Sequence, residues 1–164
     1  MDKTILVDLT KCTGCDMCVD VCSAEKTGSY SEKGTRIQID KDEARGTFYP
    51  LICEQCREHP CVDTCPVQAI CYDAELSIFR VNAESCTGCR ACERVCPYKG
   101  IFVCDGVALK CDLCGGEPRC VKICYPGALR YVDVSKEAIL ADLEYKLTKL
   151  EKIRDDTHGQ GDRI

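Results

Sequence analysis

Apolar residues along the chain gather in short runs, bounded by turn-forming residues, and over most of its length they do not recur at helical spacing. Ile5-Leu6-Val7, Arg36-Ile37-Gln38-Ile39 and Phe48 to Ile52 read as strands, because β-branched and aromatic side chains suit a pleated, half-buried surface. Ala69 to Tyr72 with Ser77 to Val81 reads as a hairpin. Ile101 to Cys104 with Val107 to Leu109 reads as a second hairpin, closed by Asp105-Gly106, a pair suited to positive φ at both turn positions. Leu129 to Val134 closes the series, and the polar stretch Lys26 to Lys33 reads as a surface loop.

After Ser135, a suitable N-cap, the pattern changes. Leu140, Leu143, Leu147 and Leu150 recur at intervals of 3, 4 and 3, with Ile139 and Ile153 beside them. This predicts one amphipathic helix over 135–154, of about five turns. Its apolar stripe would cover the chain's own core, lie in a partner's groove or pair with a second copy, and two heptads do not decide among these. Residues 155–164 are rich in Gly and Asp and read as a disordered tail.

Composition adds chemistry to this frame. Eighteen cysteines in 164 residues mark either a disulfide scaffold or a chain folded around metal. The opening Met1-Asp2-Lys3 is not followed by the apolar run of a signal peptide, and no apolar stretch approaches the roughly 18 residues of a membrane span. The expectation is a soluble cytoplasmic protein whose thiolates are held by metal, unless a partner subunit carries an export signal for both. A net charge of −5 argues against nucleic acid and suits docking to basic patches.

The cysteines fall into four groups: Cys12, Cys15, Cys18, Cys22; Cys53, Cys56, Cys61, Cys65; Cys86, Cys89, Cys92, Cys96; and Cys111, Cys114, Cys120, Cys124. The first and third share C-T-G-C and the spacing C-x2-C-x2-C-x3-C; the second and fourth share a Glu and a Pro ahead of C-V-x-x-C. The alternation reads as a duplicated two-motif unit. Three thiolates on so tight a loop converge on one iron–sulfur cubane, while the fourth points away to a second. Zinc sites are usually built from two separated Cys-x-x-Cys pairs, so crowded triplets repeated four times suit zinc poorly. With cysteine at all sixteen positions, the simplest count is four [4Fe–4S] clusters.

In these motifs the sequence resembles the four-cluster ferredoxin-like subunits that serve molybdenum- or tungsten-containing oxidoreductases such as formate dehydrogenase, dimethyl sulfoxide reductase and aldehyde oxidoreductase. The resemblance spans residues 3 to about 134. It implies an α+β fold of two nested two-cluster ferredoxin-like lobes with short β-hairpins, to which the C-terminal amphipathic helix is added. The outer lobe would comprise 1–34 and 105–134, the inner 35–104. It also implies the ligand sets: Cys12, Cys15, Cys18 and Cys124 for one cluster; Cys22, Cys111, Cys114 and Cys120 for its neighbour; Cys53, Cys56, Cys61 and Cys96 for a third; Cys65, Cys86, Cys89 and Cys92 for the fourth. Pairing of adjacent motifs is the alternative. Cys65 and Cys96 are followed by proline, whereas Cys22 is followed by Ser23 and Cys124 by Tyr125, so the backbone at both outer corners is expected to differ.

Cys71 and Cys104 lie outside the groups and read as small buried apolar residues. Lys99 reads as a solvated lysine, Tyr98 as its neighbour after Cys96-Pro97, and His59 as a surface histidine. No dinucleotide glycine signature or catalytic triad is present, so substrate chemistry is assigned to a partner. The expected role is an electron-transfer subunit between a tungsten- or molybdenum-cofactor catalytic subunit, such as an aldehyde oxidoreductase, and a flavin subunit or soluble ferredoxin. The alternatives are a free polyferredoxin serving carbon monoxide dehydrogenase, hydrogenase or several enzymes, and a structural zinc protein.

Overall fold

A computed structural model describes residues 3–133. The helix expected over 135–154 and the tail beyond it lie outside the described residues.

Eight short strands and four helices alternate: β1 (Lys3–Val7), α1 (Met17–Thr27), β2 (Ile37–Asp42), β3 (Thr47–Ile52), α2 (Pro60–Asp63), β4 (Ile70–Asp73), β5 (Ile78–Val81), α3 (Ala91–Val95), β6 (Ile101–Cys104), β7 (Val107–Lys110), α4 (Arg119–Ile123) and β8 (Leu129–Asp133). A single 3-10 turn over Leu113–Gly116 precedes α4. The strands form four separate pairs, β1 with β8, β2 with β3, β4 with β5 and β6 with β7. The last three are antiparallel hairpins, with Ile37 opposite Ile52, Ile70 opposite Val81 and Ile101 opposite Lys110. In the β6–β7 turn, Asp105 and Gly106 both take positive φ, 49° and 82°, as the right-handed twist of a two-residue hairpin requires. The pairing of β1 with β8 brings the two ends of the described chain together. The amide of Asp8 donates to the carbonyl of Ala128 at 2.7 Å.

The strands lie where the sequence pattern places them, but the helices do not follow from it. All four sit on cysteine motifs, and α1 runs through Cys22 to Thr27, into residues expected to form a loop. Gly28, at φ 75°, ends α1 and donates its amide to Ala24.

Buried side chains form two clusters. One gathers Ile5, Val7, Val19, Ile37, Ile52, Ile78, Leu113 and Leu129 around Cys18, Cys22, Cys53, Cys111 and Cys120. The other gathers Ile70, Ile101 and Ala108 around Cys61 and Cys92. The β2–β3 hairpin, expected in the inner lobe, thus contributes Ile37 and Ile52 to the cluster containing the first and fourth motifs. The expected boundary between residues 104 and 105 falls in the tight turn of the β6–β7 hairpin.

Candidate metal centres

The cysteine groups share part of one backbone plan. The residue before the second cysteine is left-handed in all four groups: Gly14 (φ 66°), Gln55 (52°), Gly88 (65°) and Leu113 (55°). The residue after the second cysteine is left-handed as well in three groups, Asp16, Arg90 and Gly115, and in the second group the left-handed residue is His59, three after Cys56. In the first and third groups left-handed residues stand on both sides of a cysteine of negative φ, an alternation that turns successive peptide N–H groups inward as a cradle for negative charge, whereas in the fourth Leu113, Cys114, Gly115 and Gly116 are all left-handed. The third cysteine is then the second residue of a helix in every group: Cys18 in α1, Cys61 in α2, Cys92 in α3 and Cys120 in α4. Gly88 shows why a side chain is excluded from one of these loops. A Cβ there would lie 2.4 Å from the carbonyl oxygen of Gly106, at the tip of the β6–β7 hairpin.

Three of the four fourth cysteines leave their motifs by a common turn. The third residue after each is left-handed and donates its amide back to the cysteine carbonyl: Gln68 to Cys65 at 3.2 Å, Lys99 to Cys96 at 3.3 Å and Gly127 to Cys124 at 3.0 Å. The following amide then reaches sulfur at two of them, Ala69 N–H to Cys65 Sγ and Gly100 N–H to Cys96 Sγ, both at 3.3 Å. Tyr125 therefore does not alter the corner at Cys124, contrary to expectation. Cys22 does differ, because Ser23 has an amide proton and no ring, so α1 continues past it. Ser23 is fully buried, its Oγ within hydrogen-bond distance of the carbonyls of Ser29 (3.0 Å) and Lys33 (2.9 Å). The amide donated to Cys22 Sγ comes instead from Arg36, at 3.3 Å.

These turns bring thiols from distant segments together. Cys12, Cys15, Cys18 and Cys124 line one cavity. Cys53, Cys56, Cys61 and Cys96 line another, and Cys65, Cys86, Cys89 and Cys92 a third. Cys120 lies close enough to Cys22 and Cys114 for their charges to interact, and Cys111 close enough to Cys120. No disulfide joins any of the eighteen cysteines. Among the described residues no three His, Cys, Asp or Glu side chains converge as they would on a single ion. Rings of thiols around a cavity suit a larger inorganic core than one zinc ion, whose ligands all stand about 2.3 Å from one point.

Burial governs the acidity of these groups. It pushes the thiols of Cys18 and Cys120 up to about 12 and that of Cys61 to about 11. Cys111, deeply buried, is raised well above the ordinary value by the same cause. Neighbouring thiolates add repulsion at each, so the ligated form needs a strong local positive charge, which a metal core supplies. Amide donors to sulfur, including Gln55 N–H to Cys53 (3.4 Å) and Ala108 N–H to Cys86 (3.4 Å), offset part of that cost.

Outside the thiol groups, three expectations change. Cys71 is exposed on the outer face of β4, and Cys104 is only half-buried at the end of β6, so neither is the buried apolar residue expected. Hairpins that form no larger sheet leave one face uncovered, and Cys71 falls on it. His59 is half-buried, packs against Phe79 with ring centroids 4.4 Å apart and, with Tyr98, lines the Cys53 cavity. Lys99 is exposed, as expected. Lys110, which the sequence reading passed over, is 6 % exposed and lines the same cavity. Strand alternation was its available signal, since Ala108 and Lys110 share the inward face of β7.

Comparison with known proteins places the chain among iron–sulfur proteins. Residues 44–134 match the 4Fe-4S dicluster domain family, and residues 9–28 match a 4Fe-4S binding domain. The chain is 39 % identical over 123 residues to the polyferredoxin-like subunit of an aliphatic sulfonate oxidoreductase of Pyrococcus furiosus, covering 74 % of this chain and 70 % of that protein. It is 35 % identical over 153 residues to an uncharacterized ferredoxin of Methanocaldococcus jannaschii, covering 92 % and 84 %. It is also 38 % identical over 134 residues to the beta subunit of the NADH-dependent phenylglyoxylate dehydrogenase of Aromatoleum evansii, where 79 % of this chain spans only 30 % of the longer protein.

Proposed function

Because the chain belongs to the 4Fe-4S dicluster domain family of iron–sulfur electron-transfer proteins, we propose that it relays single electrons through four [4Fe–4S] clusters to or from the catalytic subunit of an oxidoreductase. The assigned ligand sets are Cys12, Cys15, Cys18 and Cys124; Cys22, Cys111, Cys114 and Cys120; Cys53, Cys56, Cys61 and Cys96; and Cys65, Cys86, Cys89 and Cys92. Bound clusters supply one-electron redox chemistry with little rearrangement. The chain's own residues hold them, exclude water with the two apolar clusters and direct amides at sulfur.

The observation that carries this reading is the serial contact between ligand sets. Cys18 of the first set, Cys111 and Cys120 of the second and Cys53 of the third lie in one buried cluster. Cys61, Cys96, Cys65, Cys86 and Cys92, from the third and fourth sets, share one apolar cluster. The order along the relay is therefore the outer pair, then the inner pair. Its two halves are the outer pair of ligand sets, from the first and fourth motifs, and the inner pair, from the second and third.

For the partner we take a tungsten- or molybdenum-cofactor catalytic subunit, as the motif resemblance implies, with a flavin subunit or soluble ferredoxin at the other end. Similarity to the polyferredoxin-like subunit of a sulfonate oxidoreductase supports a place in such a complex. A free polyferredoxin is the second reading, favoured by the likeness over most of both lengths to a ferredoxin. We place the relay in the cytoplasm, where thiols stay reduced. Anaerobic purification tests the cluster assignment: about sixteen irons with matching acid-labile sulfide and a broad band near 400 nm are expected, and a colourless protein containing zinc would overturn it. Purification from native extract separates the partner readings, as a stable heteromeric complex supports the first and a lone chain the second.

A further inference from the structure

Lys110 is the only buried Lys or Arg among the described residues. Its ammonium donates to two neutral acceptors, Gln55 Oε1 at 2.7 Å and the Phe79 carbonyl at 2.8 Å. No carboxylate stands within ion-pair distance of it among the described residues. A buried charge left without an opposite charge is costly by several kcal/mol, so an anion is expected nearby. The acidic groups that share its cavity are the carboxyl of Glu54, which accepts neither of the two hydrogen bonds of the ammonium, and the thiols of Cys53, Cys56, Cys61 and Cys96. The ammonium is close enough for its charge to act on both Cys61 and His59, which line that cavity.

Gln55 fixes this arrangement from the other side. It is the left-handed residue between Cys53 and Cys56, where two of the other groups use glycine. Its amide group binds the Lys110 ammonium through Oε1 and the Cys111 carbonyl through Nε2, at 2.8 Å. The strain of a non-glycine residue in this conformation is offset by two hydrogen bonds that join the third ligand set to the second.

We infer that Lys110 is the built-in counter-ion of the cluster assigned to Cys53, Cys56, Cys61 and Cys96, and that Gln55 positions it there to make this cluster easier to reduce than a neutral residue would leave it. The inference rests on the cluster reading above. A cluster with four thiolates carries roughly two negative charges when oxidised and gains a third with the electron passed from its neighbour. A fixed positive charge in a low-dielectric cavity favours the more negative state.

The test is a potentiometric titration of the full, cluster-loaded chain, followed by electron paramagnetic resonance, for the parent, Lys110→Met, Lys110→Arg and Gln55→Glu. The signal of this cluster is identified as the one missing from Cys56→Ser. Lys110→Met is expected to lower its reduced-to-oxidised ratio about tenfold at a fixed potential, a shift of about 59 mV for one electron, with smaller shifts at the other three. Lys110→Arg should restore most of it. Gln55→Glu keeps the shape, gives up the hydrogen bond to the Cys111 carbonyl and places a carboxylate against the ammonium, so the same signal should move to lower potential even where Lys110→Met fails to assemble. An unchanged potential in Gln55→Glu, or equal loss in Lys110→Arg and Lys110→Met, overturns the inference. Failure of the parent to bind about sixteen irons would instead overturn the cluster reading itself.

Discussion

Cys22 and Cys96 hold equivalent places at the ends of motifs with identical spacing, yet the chain leaves them by different routes. After Cys96, Pro97 stops the helix, Lys99 turns left-handed, and Gly100 directs its amide at Cys96 Sγ. After Cys22 the helix runs on through Ser23 to Thr27. That extension carries Lys26 to Asp112, in the loop of the fourth motif, at 2.7 Å. Asp112 in turn accepts from the amide of Cys114 at 3.0 Å. One missing proline thus converts a local corner into a brace between the first and fourth motifs, segments almost the whole described chain apart. The inner pair needs no such brace, because its two motifs are neighbours in sequence.

The largest break in this comparison comes from removing a fourth cysteine. Cys124→Ser is expected to cost the cluster shared with Cys12, Cys15 and Cys18, about four of about sixteen irons, while the Cys53 set is retained. Iron analysis and electron paramagnetic resonance check it. Damage confined to the cluster of Cys86, Cys89 and Cys92 would favour pairing of adjacent motifs instead.

Imposing the inner corner on the outer site is the next test. Ser23→Pro interrupts α1 and removes a buried donor, at a cost of at least about 3 kcal/mol. Ser23→Ala removes only the hydrogen bonds and is expected to cost about 1–3 kcal/mol. Unfolding midpoints of the two variants rank them, and equal losses would mean that continuity of the helix contributes nothing.

At the inner corner the sensitive position is Gly100. A Cβ there would stand 2.5 Å from the Cys53 amide nitrogen and from the Ile52 carbonyl oxygen, both backbone. Ala69 and Ala128 occupy the equivalent places after Cys65 and Cys124 and carry a methyl group without conflict. Gly100→Ala should therefore destabilise by about 1–3 kcal/mol, whereas Ala69→Gly should cost under about 1 kcal/mol. Thermal unfolding of both, with iron content monitored, distinguishes them.

The smallest effect concerns the brace itself. Burial alone would raise the Asp112 carboxyl, but the Lys26 ammonium and the Cys114 amide outweigh it and hold it below its ordinary value. A carboxyl lowered in the folded state stabilises at pH above its unfolded value, near 3.8, and loses that contribution as pH falls through its folded value. Lys26→Met is expected to cost about 1 kcal/mol at neutral pH, the low end for a charged hydrogen bond because both groups are partly solvated. The gap between parent and variant should narrow below about pH 4. A gap that stays constant with pH would assign the loss to packing of the lysine stem.

Much of this molecule is readable from its residues because its determinants are local. The strands follow from short β-branched runs, the β6–β7 turn from Asp105-Gly106, and the thiol groups from spacing alone. The helices were not readable, because three of them are single turns of four or five residues wound on a cysteine, too short for any period. Nor did composition distinguish Cys71, which faces outward, from a core residue. What the sequence determined by itself is the donor chemistry: sixteen thiols in tight triplets with a fourth member each, a property of covalent spacing. Which distant thiols share a cavity, why Ser23 braces rather than turns, and where Lys110 places its charge were decided only by tertiary structure. The reason is physical: burial, charge pairing and the meeting of β1 with β8 are sums over residues far apart along the chain, and no local window contains them.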